Sequence, residues 1–163
     1  MTEFMTEQLV KRNKTIKDTL LKMLIVTVTI LLTPMILVIP SLFLLLILII
    51  VVDVYLFQRM NVEYEYLYFN GDLDIDKIVN KQSRKRKFQT NIKEEMDFIA
   101  PTGAPELYRF QNLKKLDFST KTPENKTYTM IALHKGQKVQ VIFEPNEEIL
   151  KGIRDLAPRK IIF

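Results

Sequence analysis

The stretch Met23–Val52, MLIVTVTILLTPMILVIPSLFLLLILIIVV, holds 30 residues without a charge. As one helix it would rise ~45 Å at ~1.5 Å per residue, against a bilayer hydrocarbon core of ~30 Å. One spanning helix is too long, but two short ones fit if the chain turns back near the middle. Pro34 and Pro40 stand there, and proline removes a backbone donor and disfavours helix at the residue before it. The reading is a transmembrane helical hairpin over residues 20–57, with helices at about 20–38 and 42–57 and almost no outer loop.

Charge orients the hairpin. Lys11, Arg12, Lys14, Lys17 and Lys22 precede it, Arg59 follows it, and the turn has no Lys or Arg. The positive-inside rule places both termini in the cytoplasm, as a hairpin also requires. The expected location is the cell membrane, multi-pass. Both spans are short, so a re-entrant hairpin is the rival geometry. Thr29 and Thr33 share a face of the first helix and suit packing or bonds across to the second. Asp53 is the one charge inside the apolar run, a candidate intramembrane polar site. It lies about four residues, or ~6 Å, from the end of the run. An interfacial ion pair with Lys22 or Arg59 is its expected use, ahead of a proton or ion pathway. Residues 1–19 read as a basic cytoplasmic tail or interfacial helix, with Phe4, Met5, Leu9, Ile16 and Leu20 at roughly helical spacing.

Residues 60–163 read as a separate cytoplasmic β domain. Val62–Phe69 alternates, Asn70-Gly71 is a two-residue turn signal, and Asp72–Val79 alternates again. This pairs Tyr64, Tyr66 and Tyr68 with Leu73 and Ile75 on a core face and leaves Glu63, Glu65, Asp72, Asp74 and Asp76 on the other. Further strands are expected at 84–92, 96–101, 116–119, 126–133 and 138–143, with a loop from Pro101 to about Asn112. Asn146 caps a helix over about 146–157 whose Ile149, Leu150, Ile153 and Leu156 form one apolar face.

The fold class expected is an α+β membrane protein: a two-helix hairpin plus a mostly antiparallel sheet or partly closed barrel, capped by one C-terminal helix. The segments Tyr64–Ile78, Ile92–Pro101 and Phe143–Leu150 carry a resemblance to small bacterial membrane proteins in which a two-helix transmembrane hairpin precedes a pleckstrin-homology-like (PH-like) domain. That resemblance implies a binding or scaffolding module for protein partners or a homo-oligomer. It supplies no catalytic residues and no cofactor.

The remaining constellations are weighed on chemistry. Arg84-Lys85-Arg86-Lys87 is the candidate contact for anionic phospholipid headgroups or a partner, at ~1 kcal/mol per base near an anionic leaflet. The competing use is pairing with Asp72, Asp74 and Asp76 across neighbouring strands. A calcium loop starting at Asp72 fails, because Lys77 and Ser83 stand where Gly and Glu are needed. The chain has no cysteine and one histidine, His134, in a Lys/Gly turn. No glycine-rich phosphate loop is present, and the net charge of +5 is too thinly spread for a nucleic-acid surface. An enzyme is not expected, and neither is a nucleic-acid partner.

Overall fold

The computed structural model describes residues 4–162. Its first element corrects the sequence reading. Residues 1–19 were expected as a helix or tail, but Met5–Lys11 is strand β1. It pairs antiparallel with β2 (Val62–Phe69) from Met5 opposite Phe69 to Lys11 opposite Glu63. The helical spacing was misleading because it ran across two elements. Thr6, Gln8 and Val10 alternate onto the tyrosine face of β2, whereas Ile16 and Leu20 belong to the helix that follows. The β domain is therefore not confined to residues 60–163. It begins before the helical pair, which is an insertion between two hydrogen-bonded neighbouring strands.

Helix α1 runs Ile16–Leu37, opened by a capping box in which Thr15 and Asp18 satisfy each other's backbone N–H groups. Pro34 lies inside it, in the last turn, rather than ending it. After a short 3-10 turn at Pro40–Leu42, α2 runs Phe43–Arg59. The residues less exposed in α1 are Asp18, Lys22, Ile25, Thr29, Thr33 and Ile36, and in α2 Leu46, Ile49, Asp53 and Phe57. Both sets recur every three or four residues, so each helix turns one seam to the other. The opposite faces, including Leu24, Leu31, Leu44, Leu48 and Val51, are apolar and exposed. Helix α1 is long and apolar enough to cross a membrane, while α2 has 17 residues.

Strands β3 (Asp72–Val79) and β4 (Ser83–Asn91) complete a sheet of order β1-β2-β3-β4. The β2–β3 turn is Asn70-Gly71, both at positive φ, as a two-residue hairpin of this hand requires. The second sheet contains β5 (Met96–Pro101), β6 (Lys114–Asp117), β7 (Tyr128–His134) and β8 (Gln137–Phe143) in the order β5-β7-β8-β6. Its pairs are antiparallel except β6 with β8. The stretch expected as a loop after Pro101 contains a 3-10 turn, Pro105–Phe110. Its Leu107 packs with Phe98, Ala100 and Ile131.

The main core lies between the sheets. Tyr66, Leu73, Ile75 and Phe88 of the first sheet meet Met130, Val141 and Phe143 of the second. Helix α3 (Glu147–Leu156) closes one end with Ile149 and Ile153, both fully buried. The Asn146 side chain accepts from the Ile149 N–H at 2.8 Å, a cap worth ~1 kcal/mol. Burial of each isoleucine contributes about 1.5–3 kcal/mol, so packing dominates. Gly152 permits the close approach: a Cβ there would sit 2.6 Å from the Tyr68 ring and 2.9 Å from that of Phe4. The buried Tyr66 hydroxyl donates to the Phe118 carbonyl at 2.7 Å.

Candidate functional site

The outer face of the first sheet carries its densest charge. Across the strands, Lys11, Glu63, Ile78 and Arg84 form one row, and Leu9, Glu65, Asp76 and Arg86 the next. Strict alternation along β4 would put Arg84 and Arg86 on the same face as Phe88, in the core. A bulge prevents it. Ile75 pairs with Phe88, yet Asp76 pairs with Arg86, so Lys87 is the extra residue. Phe88 stays fully buried while both arginines turn to the acidic face.

There they meet their partners. The Arg86 Nη2 donates to Asp74 at 2.8 Å, and its Nε lies 3.4 Å from Asp76. Arg84 pairs with Glu65 and lies 3.7 Å from Asp76. The arginines are half exposed, but Glu63, Glu65 and Asp76 are only 4–5% exposed. The guanidinium groups thus cover Glu65 and Asp76, two carboxylates that are nearly withdrawn from water. Lys85 stands opposite Lys77 and is not drawn into this network. The four-residue basic run is therefore two different things: two arginines matched to acids and two exposed lysines.

Asp74 is the strained member. One of its oxygens is buried without a hydrogen-bond partner among the described residues. Burial holds its carboxyl above the usual range; Arg86 pulls it down, while Asp76 and Asp72 push it further up. A carboxyl raised in the folded state favours folding at acid pH and loses that contribution as pH rises through its folded value. Asp74→Asn removes the loss. Its melting temperature is expected to gain on the wild type's between the carboxylate range and neutrality, measured in detergent at both ends. A gap that stays constant with pH would contradict this account.

Asp53 does not form the ion pair expected of it. Its carboxylate accepts from the Thr29 hydroxyl at 2.6 Å, between the helices. Lys22 instead lies over the Phe57 ring at 5.7 Å, and Arg59 over the Tyr55 ring at 4.7 Å. Thr29 also donates toward Ile25, and Thr33 bonds back to the Thr29 carbonyl at 2.7 Å. Asp53, Thr29 and Thr33 therefore meet on the inner seam of the hairpin, as polar groups between apolar helices do. The threonines were legible as packing residues, but the choice of Thr29 for Asp53 needed the helix register.

A cleft of about 480 Å³ lies beside β4, lined among others by Arg86, Lys87, Thr90, Glu94, Glu95 and His134. His134 ends β7 with its ring 5.3 Å from that of Phe88. Burial, Lys135 and Lys114 hold its imidazole below the ordinary range, which suits a neutral packing ring. Asp72 accepts from the Asn91 side chain at 2.7 Å.

A family model described as Bacterial PH-like domain (DUF6106) matches residues 2–163. No curated protein and no solved structure matches the chain.

Proposed function

The chain belongs to the bacterial PH-like domain family, and from that premise we propose that it is a membrane-anchored module that holds a protein partner at the cytoplasmic surface, without catalysis of its own. The observation that carries this reading is the insertion of two helices, whose exposed residues from Met23 to Val52 are almost all apolar, between neighbouring strands of the domain. A stalk spliced into a sheet at both ends fixes the orientation of the domain, whereas a flexible tether would not. From Lys22 to the turn at Val38 the hairpin reaches ~24 Å, slightly under a ~30 Å hydrocarbon core. Lys22 on Phe57 and Arg59 on Tyr55 suit the interface, where aromatic rings and long cationic side chains collect. For the partner, β4 offers an open sheet edge whose Ser83–Lys87 segment is exposed. Pairing with an extended segment at such an edge is a recurring recognition mode. The rival use of the whole basic run as a lipid contact is weakened because Arg84 and Arg86 are matched to acids.

The chain has no cysteine, so single cysteines report topology cleanly. A membrane-impermeant thiol reagent added to intact cells is expected to leave Ser83→Cys unlabelled until the cells are opened. A photo-cross-linker at the exposed Gln89 of β4 is expected to give one discrete adduct that survives high salt and is lost on Lys85→Glu with Lys87→Glu. Labelling of Ser83→Cys in intact cells would overturn the topology. An inserted chain that gives no adduct would overturn the partner reading.

A further inference from the structure

Where the stalk meets the domain, an open cleft of about 670 Å³ is lined by Lys11, Arg12, Asn13, Lys14, Lys22, Phe57, Met60 and Asn61. That volume is in the range of small-ligand sites. Four of its eight lining residues are basic and none is acidic. We infer that this cleft binds the phosphate of an anionic phospholipid headgroup. The inference rests on the membrane-anchor reading and concerns residues outside the Arg84–Lys87 run.

Three observations support it. The first is position. Lys22 is the last charge before the uncharged run that begins at Met23, and it lies over the ring of Phe57, which lines the cleft with Met60. The cleft therefore lies at the end of the apolar run, the level where headgroups meet hydrocarbon, and its lining mixes bases with apolar side chains. The second is rigidity. The Arg12 N–H donates to the Val62 carbonyl at 3.1 Å, the Asn13 N–H to that of Thr120 at 2.7 Å, and the Asn80 N–H to that of Asn61 at 2.8 Å. These bonds tie both ends of the stalk to the sheets, so the backbone from which the bases project is fixed before a ligand arrives. The third is unmatched charge. Of the carboxylates near the cleft, Asp18 is occupied by Arg12 at 2.6 Å and by the Thr15 cap, and Glu63 stands opposite Lys11 across the β1–β2 pair, so the bases outnumber the acids. A second cleft of about 350 Å³ on the junction adds Arg59 and Lys77, again with no acidic lining residue. Burial holds the Lys77 amine below its ordinary range, and the charges of Lys87 and Arg12 crowd it further. A phosphate bearing negative charge relieves that crowding.

The test uses the full chain reconstituted in vesicles of equal parts phosphatidylcholine and phosphatidylglycerol, with the retained lipid identified by native mass spectrometry. Insertion is scored separately by resistance to carbonate extraction. The wild type is expected to retain phosphatidylglycerol over phosphatidylcholine. Lys11→Gln with Lys14→Gln and Lys22→Gln is expected to weaken that preference about 100-fold, at roughly fivefold for each charge near an anionic surface. The matching triple Lys→Arg variant is expected to keep it, and so is Lys85→Gln with Lys87→Gln. Equal retention of both lipids by an inserted wild type overturns the inference and leaves the anchor standing. So does loss of preference in the Lys85/Lys87 variant with retention in the triple Lys→Gln variant. Displacement of the lipid by inorganic phosphate would assign the cleft to free phosphate and overturn the lipid source. A wild type extracted by carbonate would instead overturn the anchor itself, and the inference with it.

Discussion

A chain that begins at Met60 is expected not to fold, whereas the same domain with β1 spliced back onto β2 is expected to fold without its hairpin. The first deletion removes the edge strand that lies along the whole of β2. It also removes the clasp between that strand and the start of α3. The Gln8 side chain donates to the Glu144 carbonyl at 2.8 Å and accepts from the Asn146 N–H at 2.7 Å, and the Thr6 hydroxyl donates to Glu148 at 2.7 Å. Each such bond is worth about 0.5–1.5 kcal/mol net, and Val10 is buried as well. Lost together with the β1–β2 ladder, these terms reach the 5–15 kcal/mol that separates a folded domain from its unfolded chain. In the second design, Asn13–Asn61 is replaced by Asn-Gly. The Arg12 N–H already bonds to the Val62 carbonyl, so a two-residue turn closes that gap. Circular dichroism melts in aqueous buffer decide the matter. The spliced chain should melt cooperatively and the Met60 fragment should not. Equal cooperative melts for the two would remove β1 from the account of the fold.

This expectation also marks where the sequence stops being legible. The tyrosine strand, the Asn70-Gly71 turn, and the cap and apolar face of α3 are local signals, and residues close in sequence determine them. β1 is not local. Its seven residues alternate only loosely, and their partner lies beyond the whole helical pair. Strand identity there comes from the partner, so no window on the N-terminus alone reveals it. The bulge at Lys87 is hidden for a related reason. Alternation along Ser83–Asn91 gives one face for Arg84, Arg86 and Phe88, and only the acids on β3 and the core behind Phe88 force the slip. The cleft at the stalk was invisible for the same cause, because Lys11 and Lys14 come together with Met60 and Asn61 only after β1 pairs with β2. The helical pair over residues 20–57, by contrast, is legible from composition and length, which need no partner, and of its two helices α1 is the one long and apolar enough to cross a membrane.

Arg84→Gln combined with Arg86→Gln is expected to destabilise the domain by about 2–3 kcal/mol, while Lys85→Gln combined with Lys87→Gln changes it by less than about 0.5 kcal/mol. The two pairs remove the same charge from the same strand, so long-range electrostatics are matched and only the local partners differ. Removing the arginines leaves Glu65 and Asp76 buried, and Asp74 partly buried, without their cations. Loss of one partner from a fully buried pair costs about 3–5 kcal/mol. The half-exposed guanidinium groups reduce that figure, because water already screens part of each interaction. Among the described residues neither lysine pairs with a carboxylate, and Lys87 raises the cost of charging Lys77. Melting temperatures of the two double variants, read side by side, carry the test: roughly 10 °C or more lost for the arginines, and little change for the lysines. Equal losses would mean that the basic run acts only through its summed charge, and the bulge at Lys87 would have no electrostatic purpose. The expected asymmetry has a practical consequence for any binding assay on this strand. A variant that neutralises all four bases weakens the fold and the surface together, so its loss of binding cannot be assigned to either. Lys85 and Lys87 can be changed without that confusion, and they are the positions at which a partner or a lipid at β4 should be sought.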